Sequence, residues 1–129
     1  DDSSVTGIRE TISEAEKRLK GGLSVVIFPE GSRSWDGKMI PFKRGAFMLA
    51  DDIELPVVPL TINGSFDVMP RTRDMKWVIW HPLRLTIHKP IQPIGKGADN
   101  IKYLEEESYK VVMSGLEEKY QGFVENPDQ

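Results

Sequence analysis

Residues 23–34 read Leu-Ser-Val-Val-Ile-Phe-Pro-Glu-Gly-Ser-Arg-Ser, a short apolar run that passes into a polar loop. The run is rich in β-branched residues and follows two glycines, so it predicts a buried strand. Pro29 ends this strand, and residues 29–36 then form a loop at its carboxyl end, where open α/β sheets bind ligands. The stretch therefore favours an α/β fold with a candidate site in the loop.

Helical and strand patterns continue on both sides of this stretch. The elements predicted are helices around residues 5–19, 44–51 and 100–120 and strands at residues 23–28, 56–62, 76–80 and 83–89. Pro59 removes a ladder hydrogen bond from its strand, which indicates an edge or bulge position. Asp99 is predicted to cap the last helix. Together these elements predict one domain spanning residues 1–129, with a mixed sheet flanked by helices.

The composition narrows the classes of protein to which the chain can belong. With 17 basic and 20 acidic residues, its formal charge of -3 argues against a nucleic-acid partner, which usually needs a basic surplus. The chain has no cysteine, so disulfides and thiolate metal sites are excluded. No His, Asp or Glu cluster has ligand spacing, so no metal is predicted. No apolar run reaches the length of a membrane-spanning helix, and no signal peptide precedes the first helix.

The loop carries residues suited to binding a small anion. Gly31 allows close backbone approach, Ser32 offers a hydroxyl, and Arg33 offers a planar fork that can hold a phosphate through two hydrogen bonds. Lys43 and Arg44 place two more cations about ten residues further on, within reach if the loop folds back. Glu30 would accept a hydrogen bond from Arg33 or from a backbone amide. The same residue types are also common in exposed surface turns, so the residues alone leave both interpretations open.

Three sequence blocks favour the anion-binding interpretation. They are FPEGSRS at residues 28–34, PFKRGAF at residues 41–47 and LPVVPL at residues 55–60. In order and spacing they resemble the glycerolipid acyltransferases, the group that contains 1-acylglycerol-3-phosphate acyltransferase. Ser32 stands where that family usually has Thr, which keeps a hydroxyl. The matching positions cover roughly a quarter of the chain.

The resemblance implies roles for individual residues. It places the phosphate of lysophosphatidate (1-acylglycerol 3-phosphate) or of glycerol 3-phosphate on Glu30, Gly31, Ser32 and Arg33, with Lys43 shaping the same pocket. Arg33 is the expected anchor. Val58 and Pro59 match a block associated with the acyl side of the site, although both would also fit a core strand.

The catalytic motif of that family is absent from this sequence. The family uses a His followed five residues later by an Asp, in which the His acts as general base. The residue five positions after His81 is Thr86, and the residue five positions after His88 is Pro93. No catalytic residue is therefore assigned. The chain is expected to be the C-terminal part of a truncated acyltransferase domain and to be inactive by itself.

The resemblance also predicts the parent enzyme's chemistry and location. The reaction would move a fatty acyl group from acyl-CoA or acyl carrier protein to lysophosphatidate, making phosphatidate for phospholipid biosynthesis without a cofactor. The parent would work at the cytoplasmic side of a membrane, whereas the fragment would be soluble. Trp77 and Trp80 would be interfacial anchors, or else would lie in a strand core or on a face bared by truncation.

Two other classes of protein stay open at this point. The chain could be a natural non-catalytic module that binds phospholipid or glycerol phosphate. It could also be a structural domain in which Arg33 forms a salt bridge with Glu30 or Asp36.

Overall fold

The computed structural model describes residues 2–72 and 78–122. Its elements, in chain order, are helix α1 (Asp2–Lys20), helix α2 (Gly45–Asp52), strand β1 (Leu60–Asn63), the short helix α3 (Ser65–Val68), strand β2 (Arg84–Ile87), helix α4 (Ala98–Gly115) and a 3-10 turn (Glu118–Tyr120). Helix α2 packs against α4, and α1 contacts α2.

The apolar core lies between α2 and α4. Phe47, Ala50 and Leu104 are buried at its centre. Phe42, which belongs to the second sequence block, packs edge-on against Tyr109 of α4 with ring centroids 4.9 Å apart. The core therefore fixes the carboxyl end of the candidate loop against α4.

The sheet consists of β1 and β2, which pair antiparallel with Leu60 opposite Ile87 and Ile62 opposite Leu85. Its buried face is polar, because Thr61 and Asn63 point at the end of α4 with 0% and 7% of their surface exposed. Its other face is apolar and exposed, since Ile62 and Leu85 keep 43% and 57% of their surface. This is the reverse of the usual pattern of an antiparallel sheet.

Hydrogen bonds make burial of the polar face possible. The Thr61 hydroxyl donates to the Val112 carbonyl at 2.8 Å and lies 2.8 Å from Nε2 of His88. The Asn63 amide donates to the Gly115 carbonyl at 2.7 Å and accepts from the Glu117 backbone amide at 2.8 Å. These bonds fasten β1 to the end of α4.

The predicted class, a sheet flanked by helices, is confirmed, and so are the three predicted helices. The last of them, predicted to extend to residue 120, ends at Gly115, and residues 118–120 form a separate 3-10 turn. The prediction of a buried strand at residues 23–28 is wrong. Leu23, Val26 and Phe28 are all largely exposed, and no described residue pairs with the run as a strand. Its composition suits a strand, but a strand needs a partner for its backbone groups.

Other predicted boundaries also change. The strand at residues 56–62 is interrupted: Val57 forms an isolated bridge with Ile91, and regular pairing begins only at Leu60, after Pro59. Residues 78–80 form no strand, and residues 76–77 of that predicted element, with Trp77, lie outside the described residues. Asp99 lies inside the first turn of α4 and does not cap it; Gly97 occupies the cap position.

Candidate functional site

The loop between residues 28 and 43 folds back on itself. The Lys43 amide donates to the Pro29 carbonyl at 2.8 Å, and the Gly31 amide donates to the Phe28 carbonyl at 3.1 Å. Gly31 has φ +72°, and a Cβ there would stand 2.8 Å from the Lys43 ammonium nitrogen. The Lys43 side chain therefore lies directly over Gly31. The structure therefore brings the Lys43 ammonium group next to the loop, as the sequence predicts.

Glu30 supports the loop from inside. Its carboxylate accepts from the Ile40 amide at 3.0 Å, which is the second of the two partners that the sequence left open. Burial raises the pKa of this carboxyl group, and the hydrogen bond from Ile40 partly opposes the rise. In this arrangement Glu30 joins the two arms of the loop.

Arg33 and Ser32 lie at the exposed tip of the loop. Among the described residues, no carboxylate lies within salt-bridge distance of Arg33 or Lys43. Asp36, which the structural interpretation paired with Arg33, accepts instead from the Lys38 amide at 3.0 Å. The guanidinium and the ammonium group are thus available to an anion.

Arg71 contacts the loop, although no sequence pattern pointed to this residue. Its guanidinium donates to the Arg33 carbonyl and lies 4.1 Å from the centroid of the Trp35 ring. The two arginines are 38 residues apart in the chain. A cation and an aromatic residue at such a separation form no recognisable motif, so only the folded structure reveals the contact.

Tyr120 packs against the turn that follows Arg33, and no sequence pattern pointed to this contact either. The Tyr120 hydroxyl donates to the Asp67 carboxylate at 2.6 Å, which lowers the pKa of Asp67. The Tyr120 ring packs edge-on against Phe66, and a Cβ on Gly37 would stand 2.6 Å from that ring. Only glycine therefore allows this turn to pass the 3-10 segment closely.

An apolar groove of about 740 Å³ runs beside the loop. Its walls come from α1, α2 and the exposed run at residues 25–29, and Lys43 is its only charged lining residue among those described. Val58 and Pro59, predicted for the acyl side of the site, do not line it. Pro59 is buried and Val58 is largely exposed, so the pair does not form a uniform core strand either.

Neither histidine contacts a described residue of the loop through a hydrogen bond. His88 contacts the Thr61 hydroxyl in the polar face of the sheet, and Nδ1 of His81 lies 2.8 Å from the Pro82 carbonyl. Trp80 is 87% exposed, which rules out a strand core for it. In the described part of the chain, no group of three or more acidic, His or Cys residues could hold a metal, and no helix has the length and apolarity to cross a bilayer.

Comparisons with known proteins agree with this loop and fold. The acyltransferase family model matches residues 4–63. A chloroplastic 1-acyl-sn-glycerol-3-phosphate acyltransferase of Brassica napus is 46% identical over 74 residues, which are 57% of this chain and 21% of the relative. The human 1-acyl-sn-glycerol-3-phosphate acyltransferase alpha is 43% identical over 53 residues, covering 41% of this chain and 19% of the human protein.

A solved structure shows the same relationship. The 1-acyl-sn-glycerophosphate acyltransferase PlsC of Thermotoga maritima superimposes with a TM-score of 0.63 at 36% identity, over 80% of this chain and 43% of that one.

The fold and the loop are similar to those of acyltransferase domains. The chain resembles the acyltransferase family over residues 4–63, and the relatives that it matches are 1-acyl-sn-glycerol-3-phosphate acyltransferases. It spans about a fifth of the length of the curated relatives it matches.

Proposed function

We propose that the protein carrying this chain transfers a fatty acyl group from acyl-CoA or acyl carrier protein to lysophosphatidate, making phosphatidate. The activity for which the relatives and the structural neighbour are named supports this reaction. Within it, residues 28–45 bind the acceptor's phosphate. The parent protein would act at the cytoplasmic face of a membrane, where both acceptor and product reside.

The geometry of the loop carries the phosphate assignment. Arg33 is exposed at the tip, Lys43 lies over Gly31, and Glu30 is turned onto the Ile40 amide. The loop thus presents two cations and the backbone turn at Gly31, which has no side chain. The Glu30 carboxylate is already hydrogen-bonded to the Ile40 amide. A phosphate would take two parallel hydrogen bonds from Arg33, the Ser32 hydroxyl as a further donor, and the charge of Lys43.

The contribution of this chain to the reaction would be binding and orientation. Holding the phosphate fixes the glycerol backbone, so that its free hydroxyl faces the thioester carbonyl. Such positioning replaces a bimolecular encounter by a unimolecular one. Proton removal from the hydroxyl requires a general base, and neither His88 nor His81 is placed for it, since both lie outside the loop. The 129-residue chain alone would therefore bind acceptor and leave it unacylated.

The experiment is an acyl-transfer assay on the full gene product, with labelled acyl-CoA and lysophosphatidate, followed by detection of phosphatidate. Replacing Arg33 by Ala should reduce kcat/KM by about 10- to 100-fold, as expected for loss of a charge-assisted bond of about 1.5–3 kcal/mol. Arg84→Ala, which removes an exposed arginine of β2, is the matched control and should keep full activity.

A full-length product that binds lysophosphatidate but forms no phosphatidate would favour the non-catalytic binding module. Phosphatidate formed by the 129-residue chain alone would contradict the inactive-fragment expectation.

A further inference from the structure

Arg71 makes two contacts with the loop, one with its backbone and one with a side chain. The Nη1 group donates to the Arg33 carbonyl, and the flat guanidinium lies over the Trp35 ring, 4.1 Å from its centroid. One side chain thus touches the residue on each side of Ser34. Since a guanidinium carries its donors in a rigid plane, the stacking on Trp35 also sets the direction of the bond to Arg33.

The contact is unusual because it brings a second arginine to the residue predicted to bind the anion. Among the described residues, no carboxylate lies within salt-bridge distance of Arg71. Its positive charge therefore adds to those of Arg33 and Lys43 at the loop. A cationic guanidinium beside this loop favours the binding of a phosphate dianion there.

We propose that Arg71 is a positioning residue of the phosphate site, which holds the Arg33 backbone and the Trp35 ring in the orientation that binds the acceptor's phosphate. It acts through Arg33, because its own guanidinium is already committed to the Arg33 carbonyl and the Trp35 face. The inference rests on the proposed function, since it assigns Arg71 to that same phosphate site.

The experiment compares two acceptors with the full gene product: lysophosphatidate and the matching 1-acylglycerol that lacks the phosphate. For Arg71→Ala, KM for lysophosphatidate should rise roughly tenfold, as expected for a misplaced binding group. Its kcat, and its kinetics with 1-acylglycerol, should stay near wild type. Trp35→Leu, which removes the stack but leaves the Arg71 hydrogen bond, should give a smaller rise in the same KM. Arg84→Ala again serves as the control arginine.

A second readout follows the loop without any reaction. Hydrogen exchange of backbone amides in residues 31–36 should accelerate in Arg71→Ala and be restored partly by Arg71→Lys, which keeps a donor and a charge but not the planar stack. An unchanged KM for lysophosphatidate, or an equal loss with both acceptors, would overturn the assignment of Arg71 to phosphate binding. Equal use of both acceptors by the wild type would instead overturn the proposed function, and the inference with it.

Discussion

Glu30 is a partly buried carboxylate that joins the two arms of the loop at residues 28–43 through the Ile40 amide. Because burial raises its pKa, the folded chain binds more protons than the unfolded chain just above the ordinary Glu value of 4.5. Its contribution to stability therefore falls as pH rises through that range. Glu30→Gln keeps an acceptor for the amide and removes the charge, so denaturant titrations should show this pH dependence disappear.

Glu30→Ala is the matched variant that removes the acceptor itself. It leaves the Ile40 amide without its partner, which should lower the free energy of unfolding by about 1 kcal/mol at neutral pH. If Glu30→Gln and Glu30→Ala have the same stability, the carboxylate does not hold the loop in this way.

Gly31 combines a left-handed backbone with the close approach of Lys43. Gly31→Ala should cost about 1–2 kcal/mol from the backbone conformation alone, and the new Cβ must push the Lys43 side chain aside. Melting curves of the variant should therefore shift downward. Gly7→Ala, in α1 with open space around it, should instead be neutral or stabilising, as expected for a helix position. Equal shifts in both variants would contradict the assigned conformation.

At the scale of elements, a carboxylate of α2 accepts hydrogen bonds from residues at the start of α4. The Asp51 carboxylate, at the end of α2, accepts from the Gly97 amide at 2.9 Å and from the Asn100 side chain at 2.8 Å. The hydrogen bond from Asn100 and the one from Gly97 lower the pKa of Asp51. A lowered pKa contributes stability above the ordinary Asp range, near pH 4, that is lost as pH falls through the folded value.

Asp51→Ala should therefore melt at a lower temperature than wild type at pH 7, with the difference shrinking as pH falls below about 4. Circular dichroism melts across this range measure the effect, and Asp52→Ala, at the exposed neighbouring position, should change little. A difference of constant size at every pH would show that the charge of Asp51 is not what stabilises α4.

The elements also show what periodicity can and cannot predict. Periodic spacing located α1 and α4, because a helix satisfies its backbone internally. The run at residues 23–28 has strand composition, yet a strand depends on partners that composition does not specify. In the site, Gly31, Arg33 and Lys43 were selected from local blocks. Arg71 and Tyr120 were not, since their contacts span 38 and 53 residues.

At the scale of the whole molecule, the apolar face of the sheet is open. Leu60, Ile62, Leu85 and Ile87 lie on the face opposite α4, and all of them except the half-buried Leu60 are exposed. An apolar face of this kind promotes association in water. Sedimentation velocity of the 129-residue chain should therefore show concentration-dependent self-association.

The double substitution Leu85→Thr and Ile87→Thr places β-branched polar side chains, which suit a strand, at both positions and should reduce this association. Ile94→Thr removes a similarly exposed apolar side chain outside the sheet and should not. If the double substitution leaves the self-association unchanged, the apolar face of the sheet is not the surface that associates.

The central claim is that Arg33 binds the acceptor's phosphate, and acceptor selectivity tests it most directly. The measurement is the ratio of kcat/KM for lysophosphatidate to kcat/KM for the corresponding 1-acylglycerol, in wild type and in Arg33→Ala. We predict that the wild type strongly prefers the phosphorylated acceptor, and that Arg33→Ala lowers this ratio by about 10- to 100-fold while leaving 1-acylglycerol kinetics unchanged. An unchanged ratio in Arg33→Ala would contradict the claim and would leave the loop as a structural turn.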